Sequence, residues 1–160
     1  SSRVDTRSDC SVSGSTSRMT KWAVFTLLVL LFGCMPDSDL GKARRVNSQV
    51  NSSVEWTADR DDEWQTLQQT KARGKGDCED FAIAKYTLLL AKGIPSEKLK
   101  IGIGYNKGVG HAVTLYYDEP DPLVLDNIIE GVKRLSQRPT LTILYTIDSV
   151  EELNWEIKNR

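Results

Sequence analysis

From Cys78 to Lys92 the chain runs without Gly or Pro, and Ala82, Tyr86, Leu89 and Leu90 recur at helical spacing. This pattern predicts a helix with one apolar stripe, stopped by Gly93 and Pro95. Beyond it the pattern becomes alternating. Leu99, Ile101, Ile103 and Tyr105 alternate with Lys100, Gly102 and Gly104, the signature of a strand with one buried face. After a turn through residues 106–110, His111, Val113, Leu115 and Tyr117 repeat that signature, so the two strands are expected to form a hairpin. Residues 123–127 make a third short strand behind the breaker Glu119-Pro120-Asp121-Pro122. Leu141, Ile143, Tyr145 and Ile147 make a fourth, after a polar connection from Lys133 to Pro139. Upstream, Val46, Val50 and Val54 fit a helical lead-in, and Trp56 and Trp64 read as core aromatics rather than cleft walls. One helix followed by a run of strands implies an α+β fold, the helix packed on an antiparallel sheet.

Composition narrows the classes. A chain of 160 residues with 39% hydrophobic content can bury one core but not two. A net charge of -1, with acids and bases interspersed, gives no footprint for nucleic acid. Cys10, Cys34 and Cys78 share no metal-like spacing, which argues against a zinc site. Residues 1–18 are polar and are expected to be disordered or a non-native extension. Met19-Thr20-Lys21 followed by apolar Trp22 to Phe32 has the form of a signal peptide over 19–33. Leu31-Phe32-Gly33-Cys34 has the form of a lipobox, which would make Cys34 a lipidated first residue. The competing reading is an uncleaved anchor or a buried hydrophobic helix. On the lipobox reading residues 34–45 are a tether, residues 46–160 are the domain, and the site of action is the periplasm. Met35 after Cys34 favours the outer membrane.

The candidate chemistry sits at the start of the predicted helix. Asp77 is placed to act as N-cap, so Cys78 lies at the positive end of the helix dipole, where a thiolate is favoured. His111 is the only histidine, and Asp126 follows on the next predicted strand. A cysteine at a helix start with His and then Asp on successive strands can supply nucleophile, base and orienting carboxylate. Asn127 reads as a polar strand end. The backbone N–H of Cys78 would be one oxyanion donor.

Five blocks in order resemble the bacterial transglutaminase-like cysteine peptidases. They are Gly76-Asp77-Cys78-Glu79-Asp80-Phe81, Ala84-Lys85-Tyr86, Gly93-Ile94-Pro95, His111 with Val113, and Pro122 through Asn127, spanning roughly Val46 to Trp155. One departure lies upstream, where Trp64 lacks the Pro that follows it in the family. The resemblance implies a papain-like, transglutaminase-like core and an endopeptidase with a Cys78-His111-Asp126 triad. It implies a large surface adhesin as substrate, cut near its N-terminus to control biofilm attachment, and an inner-membrane cyclic-di-GMP receptor that sequesters the enzyme. It further implies a calcium ion held by Asp77, Glu79 and Asp80; from the residues alone, these acids also fit an ordinary first helical turn. A transglutaminase-type acyl transferase and an inactive binding module remain open alternatives.

Overall fold

A computed structural model describes residues 37–58 and 63–159. The expected extension, the signal peptide and Cys34 lie outside these residues. Helix α1 (Asp39–Ser53) opens where Ser38 Oγ accepts the Gly41 N–H at 3.1 Å. Residues 39–45 of the expected tether are therefore helical, and Ala43 is buried with Val46 and Val50. The chain then forms β1 (Glu55–Trp56), α2 (Leu67–Arg73) and β2 (Lys75–Gly76), with β1 and β2 paired in parallel. Thr66 and Gln69 close α2 with a capping box, and Gly74 ends it in the left-handed region at φ 67°.

Helix α3 (Cys78–Ala91) carries Asp77 at its N-cap. Every residue from Glu79 to Tyr86 is buried, so the helix is enclosed rather than striped. The cause is three-sided packing: α1, α2 and the sheet all lie against it. Among the described residues, no helix is long and apolar enough to cross a membrane.

The main sheet has five antiparallel strands in the order β6-β5-β4-β3-β7. These are β3 (Leu99–Asn106), β4 (Val109–Tyr116), β5 (Leu123–Leu125), β6 (Val132–Arg134) and β7 (Leu141–Ile147). Asn106 pairs with Val109, and Lys107 and Gly108 both have positive φ, 52° and 81°. That is a two-residue hairpin turn of the kind whose twist matches paired strands, so β4 begins before His111. The connection expected to be merely polar supplies edge strand β6 and a 3₁₀ turn, Leu135–Gln137. Strand β7 crosses to the far edge and lies so close to β3 that a Cβ on Gly104 would sit 1.9 Å from the Thr142 carbonyl oxygen. Helix α4 (Val150–Asn159) returns Leu153 to the core.

The larger core lies between α3 and one sheet face, with Phe81, Tyr86, Ile101, Leu125 and Ile147 among its members. Val113, Leu115, Val124 and Leu141 form a smaller cluster. Thr114 Oγ1 donates to the Ala82 carbonyl at 2.8 Å, a buried bond that ties β4 to α3 and fixes the height of the helix start beside the strand.

Candidate active site

Cys78 is the first residue of α3 and the one free thiol among the described residues. Its Sγ–H donates to Glu79 Oε2 at 3.1 Å, and the Ala112 backbone N–H also points at the sulfur. Burial and the neighbouring Glu79 carboxylate push the thiol up to about 12, against the smaller opposing pull of Ala112. The helix start favours a thiolate, and desolvation with a carboxyl group at hydrogen-bond distance opposes it. Glu79 is itself pushed up to about 8, chiefly by burial, with Asp77 adding repulsion.

His111 projects from β4 and is 7% exposed. Its Nε2 lies 2.9 Å from Asp126 Oδ1, so with Nε2–H donating to the carboxylate the other ring nitrogen, Nδ1, is left as the base. Asp126 follows β5 directly and is 1% exposed. Its Oδ1 also accepts the Ile128 N–H at 3.0 Å, and its backbone carbonyl accepts Asn51 Nδ2–H from α1 at 2.8 Å. Arg138 Nη2 is 2.8 Å from Asp126 Oδ2. Burial would raise the Asp126 carboxyl, but the bonds from His111 and Ile128, the charge of His111 and the contact with Arg138 hold it far below the usual carboxylate range.

Cys78 and His111 share the lining of one open cleft of about 300 Å³ with Trp56, Val109, Asn127 and Ile128. Trp56 is 59% exposed there, which corrects its expected place in the core; Trp64, at 4%, does pack inside. Trp56 is carried by a two-residue strand beside the segment that leads into Cys78, and no periodic pattern could have revealed that placement. Asn127, read from sequence as a polar strand end, also lines the cleft.

The acids around Cys78 occupy different settings. Asp80 is fully buried, its Oδ1 accepting the Gln65 N–H at 2.7 Å and its Oδ2 accepting Gln65 Nε2–H at 2.5 Å. Gly76 is required opposite it, since a Cβ there would lie 2.4 Å from Asp80 Oδ2. Glu79 is engaged with the thiol. Among the described residues, no three His, Cys, Asp or Glu side chains stand ready as a metal cage. The oxygen-rich, repelling Asp77–Glu79 pair nonetheless has the chemistry of a hard-cation site.

The sequence profile of the family described as bacterial transglutaminase-like cysteine proteinase matches residues 34–155. The chain belongs to this family. Among solved structures, the calcium-bound form of LapG from Legionella pneumophila is 28% identical, with a TM-score of 0.64 over 79% of this chain and 84% of that one. The EGTA-treated form of the same protein is 29% identical, with a TM-score of 0.67 over 86% of this chain and 76% of that one. No curated protein matches. The transglutaminase-like α+β core and the cysteine peptidase class stand on these matches, in agreement with what the five sequence blocks imply.

Proposed function

We propose that this bacterial transglutaminase-like cysteine proteinase is a calcium-dependent endopeptidase that works through a Cys78-His111-Asp126 triad and cuts a large surface adhesin near its N-terminus. The observation that carries the triad is the His111–Asp126 bond of 2.9 Å beside a thiol on the same cleft. His111 Nδ1 takes the Cys78 proton, and the sulfur attacks the scissile carbonyl. The Cys78 backbone N–H, in the first turn of the helix, would donate to the oxyanion that forms. The imidazolium, held in orientation by Asp126, gives its proton to the departing amine and leaves a thioester on Cys78. Water then attacks that thioester with His111 as base, releasing the acid and restoring the thiol.

Glu79 must leave the thiol before His111 can take its proton. Asp77 and Glu79 would hold calcium, with Asp80 sharing a carboxylate oxygen already used by Gln65. Bound there, the ion supplies the positive charge that this cluster lacks. The support is twofold: Glu79 resists ionisation until about pH 8 without a partner cation, and Legionella LapG has been solved in calcium-bound and EGTA-treated forms.

The apolar run before Cys34 supports export to the periplasm with a lipid anchor at Cys34, and the family resemblance supports sequestration by an inner-membrane cyclic-di-GMP receptor. The deciding experiment incubates the protein with adhesin N-terminal fragments, with and without calcium, and with and without an added amine acceptor. One calcium-dependent cut, absent in Cys78→Ala, is expected. An amine adduct in place of hydrolysis would make the protein an acyl transferase, and no Cys78-dependent product of either kind would leave a binding module.

A further inference from the structure

Asp126 is shut away from solvent, and what surrounds it is more than His111. Arg138 approaches the carboxylate oxygen that His111 does not use, at 2.8 Å, and is itself 7% exposed. Its backbone is pinned on both sides: the Arg138 N–H donates to the Leu135 carbonyl and its own carbonyl accepts the Leu141 N–H, each at 2.9 Å. The guanidinium is thus delivered to Asp126 by a fixed turn between β6 and β7.

We propose that Arg138 is a positioning residue of the catalytic apparatus, which acts through Asp126 to keep the carboxylate ionised and His111 aligned while the imidazole is neutral. A buried carboxylate without a cation protonates or turns away, and a neutral imidazole offers it a hydrogen bond but no charge. In the resting enzyme, before Cys78 gives up its proton, some other group must therefore supply the charge. The charged and titratable groups that face Asp126 are His111 from β4, Arg138 from the turn before β7, and Lys85 from α3. Lys85 lies over the Phe81 ring, and burial lowers it to about 7, so it is only partly charged at neutral pH. Arg138 brings a guanidinium within 2.8 Å of the carboxylate. Its fork places Nη2 against Oδ2, on the side of the carboxylate that His111 does not use.

The inference rests on the triad reading, yet its test needs no turnover, because His111 is the only imidazole in the chain. In calcium-containing buffer, NMR of the His111 ring gives its titration midpoint and, through the ¹⁵N shifts, its tautomer. The parent should hold Nε2–H. In Arg138→Gln the carboxylate should protonate or turn away, so His111 loses its anionic partner: the midpoint should fall and the tautomers should mix. Arg138→Lys restores the charge and should return the midpoint towards the parent. A midpoint and tautomer in Arg138→Gln equal to the parent's would reduce Arg138 to a structural ion pair and overturn the proposal. Should Arg138→Gln not fold, Arg138→Lys decides. With the fork lost, cleavage of the adhesin fragment should show kcat down by about tenfold or more at unchanged KM, and a parental kcat would overturn the inference. A shifted His111 titration in a protein that fails to cut the fragment would count against the adhesin reading and leave Arg138 in its role.

Discussion

Asp126 Oδ1 accepts the Nε2–H of His111 at 2.9 Å, and this one bond selects the nitrogen that faces the cleft. Asp126→Asn can present an N–H to the ring instead and so favour the wrong tautomer. Cleavage of the adhesin fragment should fall by about 10⁴-fold, the scale of tautomer loss in a triad, and the thermal midpoint should fall as well because the buried Arg138 loses its charge partner. Cys78→Ala should abolish cleavage with the fold intact. Parental rates in Asp126→Asn would remove the carboxylate from the mechanism.

Glu79 gives a stability signature that can be read without a substrate. Its carboxyl is raised from 4.5 to about 8, so between those pH values the folded state holds a proton that the unfolded state has lost. Stability of the calcium-free protein should therefore fall as pH rises through that window. Glu79→Gln should flatten the fall in urea melts at pH 5 and pH 7. Calcium, which needs the ionised carboxylate, should raise the melting midpoint more at pH 7.5 than at pH 5. A calcium effect independent of pH, or no effect at all, would separate Glu79 from the metal.

Lys85 has the opposite sign. Burial lowers its ammonium from 10.5 to about 7, so in that interval the unfolded chain binds the extra proton and stability should rise with pH. Lys85→Met should lose this rise. The check is the difference between parent and variant unfolding free energies at pH 7.5 and pH 9.5; parallel curves would show that Lys85 stays charged inside the fold.

Trp56 forms an exposed wall of the cleft, so its truncation should be felt by the substrate rather than by the fold. Trp56→Ala should raise KM by about tenfold, the scale of losing one aromatic anchor, with little change in kcat or thermal midpoint. A variant that melts far below the parent would mean that the ring holds β1 in place instead.

The parts of the molecule that repeat were legible in the chain. The uninterrupted run from Cys78 and the alternations through Ile101, Val113 and Ile143 each mark an element, and their order gives the α+β architecture. His111 and Asp126 could be paired because each sits at the end of a patterned segment, His111 opening one and Asp126 closing the next. Arg138 could not, since it follows a 3₁₀ turn whose three residues have no period and its partner lies on another strand's exit. Edge strand β6 was hidden for the same reason: a three-residue strand is shorter than the pattern that would reveal it. For Cys78 the helix start is visible in sequence, whereas the turn of Glu79 onto the sulfur is set by tertiary burial.

The bond between Cys78 and Glu79 also bears on how long the enzyme keeps. Peroxides and disulfides react with thiolates, and a thiol raised to about 12 presents almost none at neutral pH. The burial and the Glu79 contact that hold the sulfur as a thiol therefore also shield it from oxidation. An idle molecule keeps its nucleophile intact while the sulfur stays buried against Glu79, and vulnerability to oxidants begins when that contact opens. Shelf life and activity are thus set against each other at one buried contact.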